Sequence, residues 1–193
     1  MALAKIIDDL LPREVFGILA EHLMDAQDYG MLDIAAYNSE SDGSKYPFAE
    51  SNPNINSKLH EAVGSFMLYE RLMDPKYEKL HYLNYYLRDQ LAVLYEALNV
   101  KQMRIMRVNC TFAAQENYVS AFHVDGYWPE TDKMKTAILY LNSNNGGTQI
   151  MDGEFIQSKA NRVAIFPCTQ QHAGVWCTDK KLRFVLNMNY IEN

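Results

Sequence analysis

The chain has 193 residues, of which 48% are hydrophobic and 22% are charged, and its net charge is −6 at pH 7. This length predicts a single domain with a core large enough to need no disulfides. The composition excludes a collagen-like, low-complexity or intrinsically disordered chain. The acidic balance argues against nucleic acid or an anionic membrane surface as a partner.

Cysteine content and apolar runs bear on the compartment. The three cysteines are an odd number without a Cys-x-x-Cys pair, which suits a reducing environment. Asp8 and Asp9 interrupt the N-terminal apolar run before a signal-peptide core can form. Every longer apolar run is broken well short of the roughly 18 residues that a membrane span needs. We therefore expect a soluble, cytoplasmic protein without a membrane partner.

Helical patterns dominate the prediction for the first hundred residues. Proline followed by periodic apolar residues predicts a helix over 12–26. The segment 74–98 begins with an Asp-Pro pair, which favours a helix start, and its leucines then recur every three or four residues. Between these segments, residues 38–57 are rich in Ser, Asn, Gly and Pro, and they predict a surface loop long enough to form a lid or a binding loop.

Beyond Val100 the pattern changes to short β-type runs separated by turn signals. The candidate strands are 102–112, 117–123, 134–142, 147–151, 161–167, 172–177 and 182–191. So many short strands in about 90 residues predict a sandwich, a barrel or a jelly roll. We therefore expect an α+β fold with a mainly β core, in which a helical part (1–99) packs on a β part (100–193) within one domain.

One pair of residues at the end of a predicted strand has the chemistry of a metal site. His123 and Asp125 share a face if the strand ends there, and an imidazole with a carboxylate suits a divalent first-row metal. His172 and Arg183 follow on later β segments. Two histidines and a carboxylate form a facial triad with open positions, and an arginine can bind the carboxylate of a cosubstrate. Taken singly, His172 and Arg183 are equally compatible with a rim histidine and a surface cation.

The ordered motifs of the second half resemble a known family. They are His123-Val-Asp125, Lys135-Thr-Ala-Ile-Leu-Tyr140-Leu-Asn142, Gly146-Gly147-Thr148, Asn161-Arg-Val-Ala-Ile-Phe166, His172-Ala-Gly174, and Arg183 with Asn187-Met-Asn189-Tyr190. In residues 101–191 the chain is similar to 2-oxoglutarate- and Fe(II)-dependent oxygenases of the prolyl-4-hydroxylase-like superfamily, particularly the small phage and marine-bacterial versions. The resemblance implies a double-stranded β-helix, which is a jelly roll, flanked by N-terminal helices.

The resemblance also implies which residues form the metal centre. His123, Asp125 and His172 would be the iron ligands and thereby the catalytic group. Arg183 would bind the C5 carboxylate of 2-oxoglutarate. If the gene belongs to a phage, the compartment would be the host cytoplasm.

Further positions match cosubstrate contacts of the family. Tyr140 matches a phenol that bonds the same carboxylate, although a half-buried aromatic of the sheet is the alternative interpretation. Asn109 matches an asparagine that supports the cosubstrate. Thr111 stands where relatives usually carry tyrosine, and it retains a hydroxyl. Tyr127 and Trp128 directly follow the metal pair, so they either contact the substrate or pack in a turn.

The implied activity is hydroxylation of a C–H bond with release of succinate and CO2. Its cofactors would be Fe(II), 2-oxoglutarate and O2, with ascorbate as a candidate reductant. The substrate would be a peptide or protein residue, as for prolyl hydroxylases, or a small molecule. Two alternatives stay open: a nucleobase dealkylase, which the acidic charge disfavours, and a non-catalytic, cupin-like metal-binding jelly roll, which would not need Arg183.

Overall fold

The computed structural model describes residues 4–25, 30–33, 66–73, 87–125 and 129–193, with backbone only for 30–33 and 66–73. Its elements are β1 (Lys5–Ile7), α1 (Arg13–Met24), β2 (Gly30–Asp33), β3 (Phe66–Met73), α2 (Arg88–Ala97), β4 (Val100–Phe112), a short 3-10 turn (Thr131–Lys133), β5 (Met134–Tyr140), β6 (Gly147–Ile150), β7 (Phe155–Gln157), β8 (Val163–Pro167), β9 (His172–Val175) and β10 (Leu182–Glu192). Among these residues, no helix combines the length and the apolarity needed to cross a membrane.

The strands form two antiparallel sheets. The larger sheet has the order β1-β8-β5-β10-β4-β3-β2, and the smaller sheet has the order β7-β6-β9. Strand β10 lies at the centre of the larger sheet, between β5 and β4. Its register aligns Arg183 with Thr111 of β4 and Val185 with both Asn109 and Tyr140. This register decides which polar side chains meet in the interior.

The two faces of the larger sheet are chemically different, because successive residues of a strand point to opposite sides. Phe184, Leu186 and Met188 of β10 belong to a large apolar cluster. That cluster also contains the buried leucines of both helices, Leu19, Leu23, Leu91 and Leu94. The helices therefore cover this outer face, and the apolar periodicity that predicted them is the stripe that they bury.

The inner face of the larger sheet carries the intervening residues. A smaller apolar cluster includes Ile138, Tyr140 and Val185 of this sheet. It also includes Ile150 and Ile156, which lie on β6 and β7 of the smaller sheet. Between and beside these residues are polar side chains that are almost completely buried: Thr111, Asp125, Thr136, Thr148, His172, Arg183, Asn187 and Asn189. Buried polar groups at this density require partners, so the inner face is the place to look for a site.

The prediction of a mainly β core is confirmed. The helix predicted over 12–26 is α1, and α2 lies in the last part of the segment 74–98, whose first part is outside the described residues. Six of the seven candidate strands are present, with ends that differ by a few residues. The loop predicted over 38–57 also lies outside the described residues.

The seventh candidate strand, 117–123, is a correction. This segment pairs with β9 only through isolated bridges at Val119 and His123, and its side-chain pattern lacks a continuous buried face. Four strands were not predicted: β1, β2, β3 and β7. Three of them have only three or four residues, too few for a period of two to be visible. The fourth, β3, has apolar residues on both sides of its alternation and so shows no strand pattern.

Candidate active site

Backbone pairing brings together three side chains that could hold a metal ion. The N–H groups of His123 and His172 each donate to the other residue's carbonyl at 2.9 Å, and the Asp125 N–H donates to the Cys168 carbonyl at 3.1 Å. The ligand atoms of His123, Asp125 and His172 consequently lie within 4.8 Å of one another. The isolated bridge at His123 explains how residues separated along the chain converge although 117–123 forms no regular strand.

Both imidazoles are oriented by backbone carbonyls. Nδ1 of His123 lies 3.1 Å from the Ala121 carbonyl, and Nδ1 of His172 lies 3.1 Å from the Gln170 carbonyl. Because a carbonyl only accepts, each Nδ1 carries the proton. The Nε2 atoms face Asp125, at 3.9 Å for His123 and 3.8 Å for His172, and in a neutral imidazole with its proton on Nδ1 the Nε2 atom has the free lone pair. This tautomer is the one that binds metal ions.

The Asp125 carboxylate is held by side-chain donors on both oxygens. Its Oδ2 accepts from the Thr136 hydroxyl and the Asn189 amide, each at 3.1 Å, and from the Asn187 amide at 3.4 Å. Its Oδ1 lies 3.4 Å from a terminal nitrogen of Arg107. The carboxylate is therefore fixed before any ligand arrives, which is the usual function of partners behind a metal ligand.

The protonation states suit metal binding. Burial alone would raise the pKa of Asp125, but its interactions with His172, Arg107 and His123 outweigh burial and hold that pKa well below its usual range. Burial and the neighbouring His123 lower the pKa of His172 to about 4. At neutral pH the buried pair is thus an ionised carboxylate and a neutral imidazole, both of which can donate to a cation.

Arg183 is a buried cation whose partners are all neutral. Its side chain donates from Nε to the Ser158 hydroxyl at 3.2 Å and from a terminal nitrogen to the Gly147 carbonyl at 2.8 Å. The guanidinium carbon lies 5.9 Å from the centre of the Tyr140 ring. Only 4% of Arg183 is exposed, and none of the described residues forms an ion pair with it. Burial lowers the pKa of Arg183.

Unsatisfied polar atoms lie on the strand beside Arg183. Thr111 is aligned with Arg183 across β4 and β10, and Asn109 is aligned with Val185. The Thr111 Oγ1 and Asn109 Oδ1 atoms are buried without a hydrogen-bond partner among the described side chains. The Tyr140 hydroxyl is engaged instead, at 2.8 Å from the Thr148 hydroxyl and 3.1 Å from the Ile156 carbonyl. Buried polar atoms without partners are rare in folded proteins, so they point to a ligand.

Glycine is required at position 147 because the strands β6 and β7 approach each other closely there. A Cβ at this position would lie 2.2 Å from the Ile156 carbonyl oxygen, which is closer than side chains ever come to backbone. Any other residue would displace the strand β6. Since the carbonyl of Gly147 accepts a hydrogen bond from Arg183, the glycine also determines where the arginine can be held.

The structure brings the predicted residues together in two groups. His123, Asp125 and His172 form the metal end of the interior, and Arg183, Tyr140 and Thr111 form the arginine end, with Asn109 next to it. The ends are connected along β10, where Arg183 and Asn187 are four residues apart, about 13 Å at the usual rise of a strand. Tyr127 and Trp128 lie outside the described residues.

Several residues of the site were not predicted as such. They are Arg107, Thr136, Thr148, Ser158 and Asn189. Asn187 belongs to a sequence motif but had no assigned role, and the structure buries its side chain against Asp125. The available signal was the alternation Arg183, Asn187, Asn189 on one face of β10. Polar residues at this period within an otherwise apolar strand indicate a polar interior.

Comparisons with known proteins identify the fold. No family model and no curated protein matches the chain. The non-heme alpha ketoglutarate dependent epimerase SnoN from nogalamycin biosynthesis matches with a TM-score of 0.61 at 11% identity, over 98% of this chain and 77% of that one. SnoN in complex with Fe3+, alpha ketoglutarate and nogalamycin RO matches with 0.58 at 12% identity, over 98% and 78%.

A Pseudomonas putida prolyl-4-hydroxylase also matches, with a TM-score of 0.46 at 14% identity, over 98% of this chain and 92% of that one. At 11–12% identity the two SnoN matches show the fold alone, and this fold agrees with the ordered sequence motifs and with the convergence of His123, Asp125 and His172. The chain therefore has the fold of the non-haem, 2-oxoglutarate-dependent enzymes that its motifs resemble.

Proposed function

We propose that this protein is a 2-oxoglutarate- and Fe(II)-dependent dioxygenase that hydroxylates a C–H bond of a peptide or protein residue or of a small molecule, with release of succinate and CO2. The observation that carries the proposal is the buried cation of Arg183, which has no ion-pair partner among the described residues and lies in the same interior as His123, Asp125 and His172. A buried charge without a counter-charge costs several kcal/mol. A site of this kind favours a ligand that supplies negative charge, and 2-oxoglutarate supplies two carboxylates.

The donor set at the metal end fits Fe(II). Two imidazole nitrogens and one carboxylate within 4.8 Å form the facial set that leaves positions for other ligands. In this proposal His123, Asp125 and His172 hold the iron, and the iron, when bound, supplies the oxygen chemistry. The protein's own contribution is to fix these side chains through Ala121, Gln170 and the donors around Asp125.

The arginine end fits the distal carboxylate of the cosubstrate. The Arg183 guanidinium can donate two charge-assisted hydrogen bonds to a carboxylate. Thr111 can donate from its unpaired hydroxyl, and Asn109 can support the same ligand from the next position along the inner face. We assign Tyr140 to the wall of this pocket, where its hydroxyl, bonded to Thr148, stands beside the arginine.

Chain topology supports the finer assignment of the fold as a double-stranded β-helix. After β4 in the larger sheet, the chain runs beside β9 of the smaller sheet at 119–123 and then returns to the larger sheet as β5. It continues through β6 and β7 in the smaller sheet, β8 in the larger, β9 in the smaller and β10 in the larger. This repeated passage between two facing sheets is the arrangement of a jelly roll.

The remaining parts of the proposal rest on composition and on the family resemblance. They are O2 as the second cosubstrate, ascorbate as a candidate reductant, a cytoplasmic location, and no nucleic-acid or membrane partner. The net charge of −6 supports the last of these, because nucleic-acid binding needs a basic surface.

Anaerobic titration of the metal-free protein with Fe(II) and then 2-oxoglutarate tests the proposal. We expect the weak visible charge-transfer band of an iron–2-oxoglutarate complex in the wild type, and its loss in Arg183→Gln and His172→Ala. Arg88→Gln is the matched control, because it removes the same charge from an arginine on helix α2 whose side chain is 82% exposed beside Asp89. Iron binding without the band would favour the cupin-like alternative, and a band that survives Arg183→Gln would contradict the assignment of this arginine.

A further inference from the structure

The two oxygens of Asp125 face different environments. Oδ2 is surrounded by the buried donors Thr136 and Asn189, whereas Oδ1 faces Arg107. Exposure follows the same division: the side chains of His123 and Arg107 are 38% and 22% exposed, against 3% for His172. Among the described residues, His123 and Arg107 therefore mark the open edge of the metal site, where a substrate can approach.

Arg107 has donors to spare at this edge. A guanidinium offers five N–H donors. Within the described part of the chain, Arg107 makes one contact, the 3.4 Å approach to Asp125, and its Nε is buried without a partner. The Nε of Arg104 on the same strand is also buried without a partner there, but Arg104 differs in its counter-charge, because Glu130 supplies a carboxylate at 3.4 Å. Arg107 thus lacks a partner of its own once Asp125 is committed to a metal.

Charge balance gives the same result. In the proposed complex, the positive charges of Fe(II) and Arg183 are neutralised by Asp125 and the two carboxylates of 2-oxoglutarate. Among the residues that the structure describes, no carboxylate other than Asp125 then supplies a counter-charge to Arg107. A cation in a partly dehydrated pocket attracts anions more strongly than one in water, so this edge of the site selects for negative charge.

We infer that the substrate presents an oxyanion, a carboxylate or a phosphate, to Arg107, and hence that the compound hydroxylated is an acid rather than a neutral residue within a peptide chain. The inference rests on the proposed function and specifies its substrate class. The planar fork of arginine can bind two oxygens of such a group at once. The target C–H bond would lie close to the acid group, because Arg107 adjoins a metal ligand.

The test compares matched acids and neutral compounds on the anaerobic Fe(II)–2-oxoglutarate protein. The probes are free amino acids and short carboxylic acids against their primary amides, and phosphomonoesters against the parent alcohols, with the shift of the charge-transfer band as the measure of binding. We expect the preferred acid to bind about tenfold to a hundredfold more tightly than its neutral counterpart, the range of a charge-assisted hydrogen bond. Whether carboxylates or phosphates show this preference distinguishes the two oxyanions.

Variants assign the preference to one side chain. In Arg107→Gln the ratio of acid to neutral affinity should fall close to one, and Arg107→Lys should retain part of it. Each ratio is measured within one variant, so a change in iron affinity does not distort it. Arg104→Gln, with the same change of charge on the same strand, should keep the wild-type ratio.

Two results would overturn the inference while the proposed function stands: a band that responds equally, or not at all, to acids and neutral compounds, or an acid preference that Arg107→Gln leaves intact. Peptides with blocked, uncharged ends that bind as well as the free acids would give the first result and would identify a peptide substrate. A wild-type protein that forms no band would remove the proposed function, and this inference with it.

Discussion

The interior between the two sheets holds two buried charges, and the chain treats them in opposite ways. At the metal end, Asp125 accepts hydrogen bonds from Thr136, Asn187 and Asn189, and it also faces the guanidinium of Arg107. At the other end, the partners of Arg183 within the described ranges are a neutral hydroxyl and a backbone carbonyl.

The described residues of the protein satisfy the charge of Asp125, whereas the charge of Arg183 requires an anionic ligand. The donors around Asp125 keep a carboxylate ionised and oriented in the absence of metal, so this end is organised by the chain alone. Arg183 is oriented but not neutralised, which costs free energy in the folded state. A cost of this kind is understandable where an anionic ligand compensates for it, so the arginine end is the better indicator of function.

The largest expected effect is the loss of Fe(II) affinity when the charge of Asp125 is removed. Asp125→Asn keeps the shape of the side chain but replaces an anionic metal ligand by a neutral amide. Because changes to the partners of a ligand already weaken metal binding by about 10- to 100-fold, loss of the ligand itself should weaken Fe(II) binding by more than about 100-fold. Anaerobic competition against a chelator measures this affinity.

Asp8→Asn, at a carboxylate remote in sequence and exposed to solvent, is the control for the change in net charge. Fe(II) affinity within threefold of the wild type in Asp125→Asn would remove this residue from the metal site.

The hydrogen bonds that hold the Asp125 carboxylate can be weakened without changing any of the three proposed metal ligands. Asn189 donates to Oδ2 of Asp125 and to the Thr136 hydroxyl. We expect Asn189→Ala to weaken Fe(II) binding by about 10- to 100-fold, because the carboxylate loses its orientation. Asn193→Ala, just beyond the same strand, should leave the Fe(II) affinity unchanged. Equal affinities in Asn189→Ala and the wild type would show that the remaining donors suffice.

Removal of the Arg183 charge should not destabilise the metal-free protein, but it should weaken the binding of 2-oxoglutarate. Arg183→Met places an apolar side chain of similar length in the pocket, so the metal-free protein should be as stable as the wild type or more stable, by up to about 2 kcal/mol. In exchange, 2-oxoglutarate added with Fe(II) should raise the urea midpoint of the wild type but not that of the variant. A loss of stability above about 2 kcal/mol would instead mean that the bonds to Ser158 and Gly147 already balance the charge.

The two ends of the site differed in how far the sequence could predict them. His123, Asp125, His172 and Arg183 were identifiable because their order on successive β segments follows a family pattern. Arg107 and Thr136 were not, because they lie on strands whose neighbours depend on the register of β4 and β5 against β10. Register is a property of long-range pairing and is invisible in local spacing.

The same limit applies to the fold. Strands β5 and β10 were predictable, because each is a long apolar run between turn signals. The three-residue strand β1 was not, since its membership of the larger sheet depends on pairing with β8, far along the chain. The segment 117–123 shows the opposite error: strand-like composition without a continuous partner, because only two of its residues pair with the smaller sheet.

The smallest effect is expected at Asp8, a surface carboxylate, in contrast to the buried charges of Asp125 and Arg183. Asp8 forms ion pairs with Arg162 and Lys159, and its hydrogen bonds to these residues hold the pKa of Asp8 well below its usual value of 3.8. Because the folded-state pKa is the lower one, the ion pairs stabilise the fold above about pH 4, and the stabilisation is lost as the pH falls through the folded-state pKa.

Asp8 is more than one-third exposed, so solvent and salt screen these pairs. We expect Asp8→Asn to lower the free energy of unfolding by less than about 1 kcal/mol at pH 7. Urea unfolding of the wild type and the variant at pH 7 and at pH 3 measures this difference, which should be smaller at pH 3 and in high salt. A difference that exceeds this size and ignores pH would come from packing of the β1 segment rather than from charge.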